Sequence, residues 1–281
     1  MRGWIWTAAF LAAGTAAFAS AYDDYMRGFE ARRAGNADLA LTAFTAALAA
    51  PDLAPTYVPD AHVGRADALL RKGRCAEAIT DLDAAIALRP TLVEALMMRA
   101  SAHGCVGKPE AVKADLDAAI AAAPSTTRYA ARAGFHWYRG DFALAAEDYL
   151  KGVQVQDKRA FEPRQGLYSL LGYAISAARA KTFDAAIFKT AAKALPDDEW
   201  PSDLIDFIAG KTTLEKVYRE AARGEGDQPA FRKCQADYYV GEWRYANGDA
   251  AGKDMLIALE QTCPKNAGVL RDARHDLKRI P

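Results

Sequence analysis

The chain has 281 residues, 51% hydrophobic and 26% charged. These are the proportions of a foldable soluble protein, not of a disordered, collagenous or multi-span membrane chain. Lys plus Arg and Asp plus Glu each number 36, so the formal charge is zero and the basic surface that general nucleic-acid binding requires is missing. Alanine, the strongest helix former, makes up about a fifth of the residues beside 12 prolines, which points to an all-α chain.

The chain opens with Arg2 and an uncharged apolar run from Trp4 to Ala19. Ala17-Phe18-Ala19 and Ala19-Ser20-Ala21 both fit a small-x-small cleavage pattern, and charge begins at Asp23. Residues 1–21 therefore have the layout of a secretory signal peptide. The run is short of the ~20 residues needed to span a bilayer. Cleavage would leave a chain that starts at Ser20 or Tyr22 and is exported to the periplasm. An uncleaved transmembrane anchor is the alternative; with cleavage no stable membrane anchor is expected, and no cysteine adjoins the cleavage region to take a lipid anchor.

Beyond the leader, Asp81-Leu82-Asp83-Ala84-Ala85-Ile86 recurs 34 residues later as Asp115-Leu116-Asp117-Ala118-Ala119-Ile120. Four units share that register over 22–157. The first carries Gly28, Gly35, Ala40, Phe44 and Ala47 and ends at Pro51. The second carries Ala66, Gly73, Ala78, Leu82 and Ala85 and ends at Pro90. The third has Ala100, Gly107, Val112, Leu116 and Ala119 before Pro124, and the fourth Ala133, Gly140, Ala145, Tyr149 and Gly152. Small residues fall where two helices would cross closely, a larger one fills the space beside them, and proline stops the second helix. An insert ending at Pro59 lengthens the first link.

The register fails after Asp157. Residues 158–229 read as an irregular helical region, with helices over 161–180, 184–195 and 200–209 and a fourth, capped by Thr212 or Thr213, reaching Ala222. Residues 230–281 read as a last hairpin, turning at Asn247-Gly248-Asp249, followed by a capping helix from about Asn266.

A 34-residue period with these small residues and closing prolines resembles the tetratricopeptide repeat (TPR). The resemblance implies an all-α, right-handed superhelix of about five helix-turn-helix units, with a concave groove that binds an extended protein or peptide partner. Positions 2, 5, 9 and 12 of each first helix face that groove in the family. Here they give candidate contacts Tyr25, Phe29 and Arg32, then Asp60, Val63 and Asp67 with Arg71 beside them, then Glu94, Met97 and Ser101, and finally Trp137. Aromatic residues and Arg are common interface anchors. Packing between units is the competing role for Tyr25, Phe29 and Trp137.

The stretch from Trp200 to Gly210, the 214–222 helix, Tyr238-Tyr239-Val240-Gly241-Glu242 and the Cys263-Pro264 end together resemble the C-terminal half of the NlpI-type TPR proteins of the bacterial envelope. That resemblance implies a dimerising adaptor that brings a processing protease or peptidoglycan hydrolases to clients. The acceptor cysteine of the best-known lipoprotein members is absent, so membrane tethering is not implied. A binding module for a short peptide or cell-wall fragment is the alternative.

Export would place the four cysteines where disulfides persist. Cys75 begins a second helix and Cys105 ends the next first helix; antiparallel packing makes those ends neighbours. Cys234 and Cys263 flank the last hairpin. The expected pairs are Cys75–Cys105 and Cys234–Cys263, with free buried thiols the alternative. No Cys-x-x-Cys pair favours zinc.

No G-x-S-x-G, H-E-x-x-H, G-x-x-x-x-G-K-[ST] or G-x-G-x-x-G motif occurs, and neither an enzyme nor a cofactor is expected. His103 and His136 share one repeat position and are expected to pack rather than ligate a metal. Asp81, Asp83, Asp115 and Asp117 are expected on solvated helix faces. The basic end, Arg271, Arg274, His275, Lys278 and Arg279, is expected to be a solvated terminal helix.

Overall fold

The computed structural model describes residues 20–155 and 159–280; most of the proposed signal segment lies outside the described residues. Fifteen α-helices and no strand occur among those residues. The chain forms two compact units, one up to Pro109 and one from Glu110 onward.

The first unit holds α1 (Ala21–Arg33), α2 (Ala37–Ala49), α3 (Val58–Arg71), α4 (Cys75–Leu88) and α5 (Val93–Cys105). Successive helices pack on each other, and α3 also touches α1 and α5, so α1, α3 and α5 form one layer and α2 and α4 the other. Ser20 caps α1 in a reciprocal capping box with Asp23. The helix therefore takes in Ala21, which is buried although the sequence reading assigns it to the leader.

The repeat glycines do two different jobs. Gly35 and Gly73 stop α1 and α3 in the left-handed region, at φ 74° and 73°. The next residue's N–H then reaches back five positions, Asn36 to the Ala31 carbonyl and Arg74 to that of Leu69, each at 2.9 Å. Gly28 and Gly64 instead let helices approach. A Cβ on either would lie within 2.9 Å of the Phe44 ring, which is fully buried between them. The Cys75–Cys105 disulfide joins the start of α4 to the end of α5, with a Cα–Cα distance of 6.2 Å.

The second unit begins with α6 (Pro109–Ala122), α7 (Thr126–Arg139) and α8 (Phe142–Val153) and continues into α9 (Pro163–Arg179). Helix α9 is buried at every position from Gly166 to Ala178 except Tyr168, which makes it the core helix of the unit. Around it lie α10 (Ala185–Ala192), α11 (Ser202–Ile208), α12 (Leu214–Ala221) and the long α13 (Gln228–Ala246). Thr213 caps α12. Helix α13 pairs with α14 (Ala251–Thr262), and α15 (Gly268–Leu277) packs on both. The Cys234–Cys263 disulfide ties α13 to the end of α14, at a Cα–Cα distance of 5.3 Å.

Two expectations are overturned. Asp81 and Asp115 are 4% and 3% exposed, not solvated. Asp81 accepts two bonds from Arg65, at 2.8 and 2.6 Å, and is 2.9 Å from the His62 ring nitrogen. Burial alone would raise its carboxyl, but these bonds together hold it below the usual carboxylate range. In the second unit Arg132 grips buried Asp148 in the same way, also across 16 residues. The second aspartate of each pair looks to the following helix: Asp83 accepts from Arg99, and Asp117 from Arg132, each at 2.6 Å. The terminal helix is not a solvated appendage either. Leu270, Ala273 and Asp276 of α15 are buried, Arg274 pairs with Glu260, and Arg279 bonds the Trp137 and Tyr138 carbonyls at the end of α7.

Candidate functional site

The first unit gathers several of the sequence-derived candidates. Arg32 on α1 lies 3.4 Å from Asp67 on α3 and also pairs with Glu94 on α5. Arg71 donates to the same Asp67 at 2.8 Å. One layer of three helices thus presents a chain of alternating charges, with exposed Phe29, half-buried Met97 and exposed Ser101 on the same helices. Asp60 belongs to another contact, an ion pair with Arg89 at 3.0 Å. Tyr25 packs on Tyr57 and Phe44, at ring distances of 5.0 and 6.0 Å. Val63 is 2% exposed and part of the core, so its side chain is not available to a partner. A groove position taken from the family pattern does not stay exposed when its helix is covered on several sides, as α3 is by α1, α2, α4 and α5.

The second unit contains a cavity of about 490 Å³, within the range of small-ligand pockets. Its walls come from α7, α8, α9, α13 and α15. Five tyrosines line it, Tyr138, Tyr149, Tyr168, Tyr238 and Tyr239, with Trp137, Gln165, Arg271 and Asp272. Gly134 of α7 opens it further, since a Cβ there would meet nothing within 4 Å. Trp137 is 5% exposed and serves as floor more than as free anchor: its ring packs on Phe142, and its Nε1–H donates to Asp276 at 2.9 Å. The Tyr238 hydroxyl donates to the other Asp276 oxygen, also at 2.9 Å.

Electrostatics beneath the floor are unusual. Asp276 is 1% exposed, and burial pushes its carboxyl up to about 6 against the bonds from Tyr238 and Trp137. Glu242 is fully buried on α13 and takes both arms of Arg179, at 2.9 and 3.1 Å. Burial outweighs that guanidinium and lifts Glu242 to about 7. Arg179 in turn lies over the Tyr245 ring, 4.5 Å from its centroid. On the wall, Tyr138 donates to Asp272, and burial together with that carboxylate raises the phenol to about 12.

His136 is buried, 3.8 Å from both Asp141 and Asp148, inside the repeat core. No group of three His, Cys, Asp or Glu residues is placed to hold a metal among the described residues. No helix of those residues is long and apolar enough to cross a membrane.

Comparison with known proteins fits this picture. The family model described as Tetratricopeptide repeat matches residues 25–93. The crystal structure of a tetratricopeptide repeat protein from Parabacteroides merdae is similar at a TM-score of 0.52 and 16% identity, covering 91% of this chain and 98% of that one. No curated protein matches the sequence. The chain therefore has the all-α tetratricopeptide fold.

Proposed function

We propose that the protein is an exported, non-enzymatic scaffold that holds a protein partner in the cavity of its second unit, with the charged layer of the first unit as a separate contact. The cavity is the observation that carries this reading: a recess walled by tyrosines and edged by Arg271 and Asp272 suits a partner's side chain. Proteins of this fold are generally scaffolds. Two disulfides support export to an oxidising compartment. The Ser20 capping box favours cleavage between Ala19 and Ser20, because removal of Ser20 would uncap α1.

The NlpI-type resemblance extends the reading to a periplasmic adaptor, a homodimer in the family manner, that raises a client's effective concentration beside an envelope protease or peptidoglycan hydrolase. The test is site-specific photo-crosslinking from Tyr138 and from Ser101 in the native periplasm, read by mass spectrometry. An abundant protease or hydrolase adduct from Tyr138 that disappears in Gly134→Leu is the expected result. Adducts that are unaffected by filling the cavity would overturn its role.

A further inference from the structure

We infer that the tyrosine-walled cavity of the second unit is selective for a cation, namely a lysine or arginine side chain presented by a protein partner. This inference rests on the cavity being a partner site at all; its new content is the sign of the charge.

The first argument is the wall chemistry. Aromatic faces carry negative charge density, and a cation enclosed by several of them is attracted without needing a matching anion at each contact. Tyr149, Tyr168 and Tyr239 supply such walls, and Gly134 leaves room for an alkyl stem. A straight side chain of four carbons or a guanidinium on three fills a recess of this kind with its apolar part and carries its charge inward.

The second argument is where the fixed charges point. Asp272 stands in the wall and Asp276 lies under the floor, accepting from Trp137 and Tyr238. The nearby cations are engaged elsewhere. Arg179 is taken by Glu242, and Arg279 by the carbonyls at the end of α7. Arg271 sits 3.5 Å from Asp272, but its side chain is 78% exposed, at the rim. The phenols report the same field. Burial raises Tyr149 and Tyr238 first, and the carboxylates of Asp272 and Asp276 raise both further.

This arrangement makes Arg271 a competitor for the incoming cation, because both address Asp272. An anionic ligand would use Arg271 as its anchor instead. Removing Arg271 therefore has opposite effects under the two possibilities, and that sign is the test.

The experiment uses the full chain, with NMR detection at the Trp137 indole N–H and the Ile175 methyl groups. The probes are acetyl-Gly-X-Gly-amide peptides with X as Lys, Arg, norleucine or Glu, and free putrescine. The expected result is that the Lys and Arg peptides shift both reporters and that norleucine and Glu peptides bind at least tenfold more weakly. Asp272→Asn should weaken the Lys peptide about tenfold, and Arg271→Ala should tighten it several-fold. Gly134→Leu should abolish the shifts; unchanged helical circular dichroism in that variant separates blocking from unfolding. Preference for the Glu or norleucine peptide, or weaker Lys binding in Arg271→Ala, would overturn the cation assignment and leave the partner site standing. Putrescine binding as tightly as the peptides would overturn a protein side chain as the source. No shift with any probe would overturn the partner reading of the cavity itself.

Discussion

The guanidinium of Arg132 holds the buried carboxylate of Asp148 by two bonds, at 2.8 and 2.7 Å, while its remaining arm reaches Asp117 on the preceding helix. One side chain thus binds its own repeat together and fastens it to the one before. Breaking a buried pair leaves an uncompensated charge, so Arg132→Met should cost about 3–5 kcal/mol in urea denaturation. The double variant Arg132→Met/Asp148→Leu should recover much of that loss, since well-packed apolar residues often replace a buried pair without penalty. A double variant as unstable as the single one would mean that the charges contribute more than mutual compensation.

Close helix approach at Gly64 gives a second expectation. Gly64→Ala places a methyl against the enclosed Phe44 ring and should destabilise by about 1–3 kcal/mol. Gly134→Ala meets open space inside a helix and should stabilise by about 0.5–1 kcal/mol. Thermal melts of the two variants should therefore move in opposite directions.

Each disulfide closes a loop of about 30 residues, and the chain-entropy model assigns such a loop roughly 3–4 kcal/mol. The double variant Cys75→Ser/Cys105→Ser should lose close to that amount, and so should Cys234→Ser/Cys263→Ser. Wild-type protein melted with a phosphine reductant should lose stability, whereas a variant lacking all four cysteines should be indifferent to it.

Stability should also rise as the solution is acidified from pH 8 to pH 5. Glu242 and Asp276 are held above their ordinary values, at about 7 and about 6, so the native state binds these protons more tightly than the unfolded chain. Their contribution appears as pH falls through those values and is complete near the ordinary carboxylate range. Below that range the trend reverses, because Asp81 and Asp117 are held low by their cationic partners and lose those bonds on protonation. Melting temperature measured from pH 8 to pH 3 should trace this maximum. In Glu242→Gln the gain between pH 8 and pH 5 should shrink; a gain of unchanged size would assign it to other groups.

Much of this architecture was legible in the sequence. The 34-residue offset, the turn glycines at 35, 73, 107 and 140 and the prolines that close the first three units marked the helix-turn-helix array, because the glycines and prolines are local backbone requirements. The cysteine pairs followed from the same geometry. The fate of Asp81 was not legible. In an alanine-rich helix the apolar stripe is faint, and α4 is covered by both α3 and α5, so a polar residue can be buried wherever an arginine comes to meet it. The cavity was hidden for a different reason: its walls come from five helices between Ala130 and Asp272, which share no period. The adjacent Tyr238 and Tyr239 were the one local signal, and the sequence reading used them only as a family mark.

The paired aspartates also mark where the array ends. Asp81 and Asp83 recur as Asp115 and Asp117, but after Asp148 the second place is held by Leu150, which packs against the apolar core around α9 instead of receiving an arginine. A repeat bearing the second aspartate needs a successor with an arginine; one bearing leucine needs an apolar neighbour. Identical folds along the chain are therefore not interchangeable parts. A copied second or third unit would bring its own arginine and aspartates to the seam, whereas the fourth unit moved inward would set Leu150 against an arginine, so lengthening such an array would require copying the polar joint and keeping the greasy one at the end.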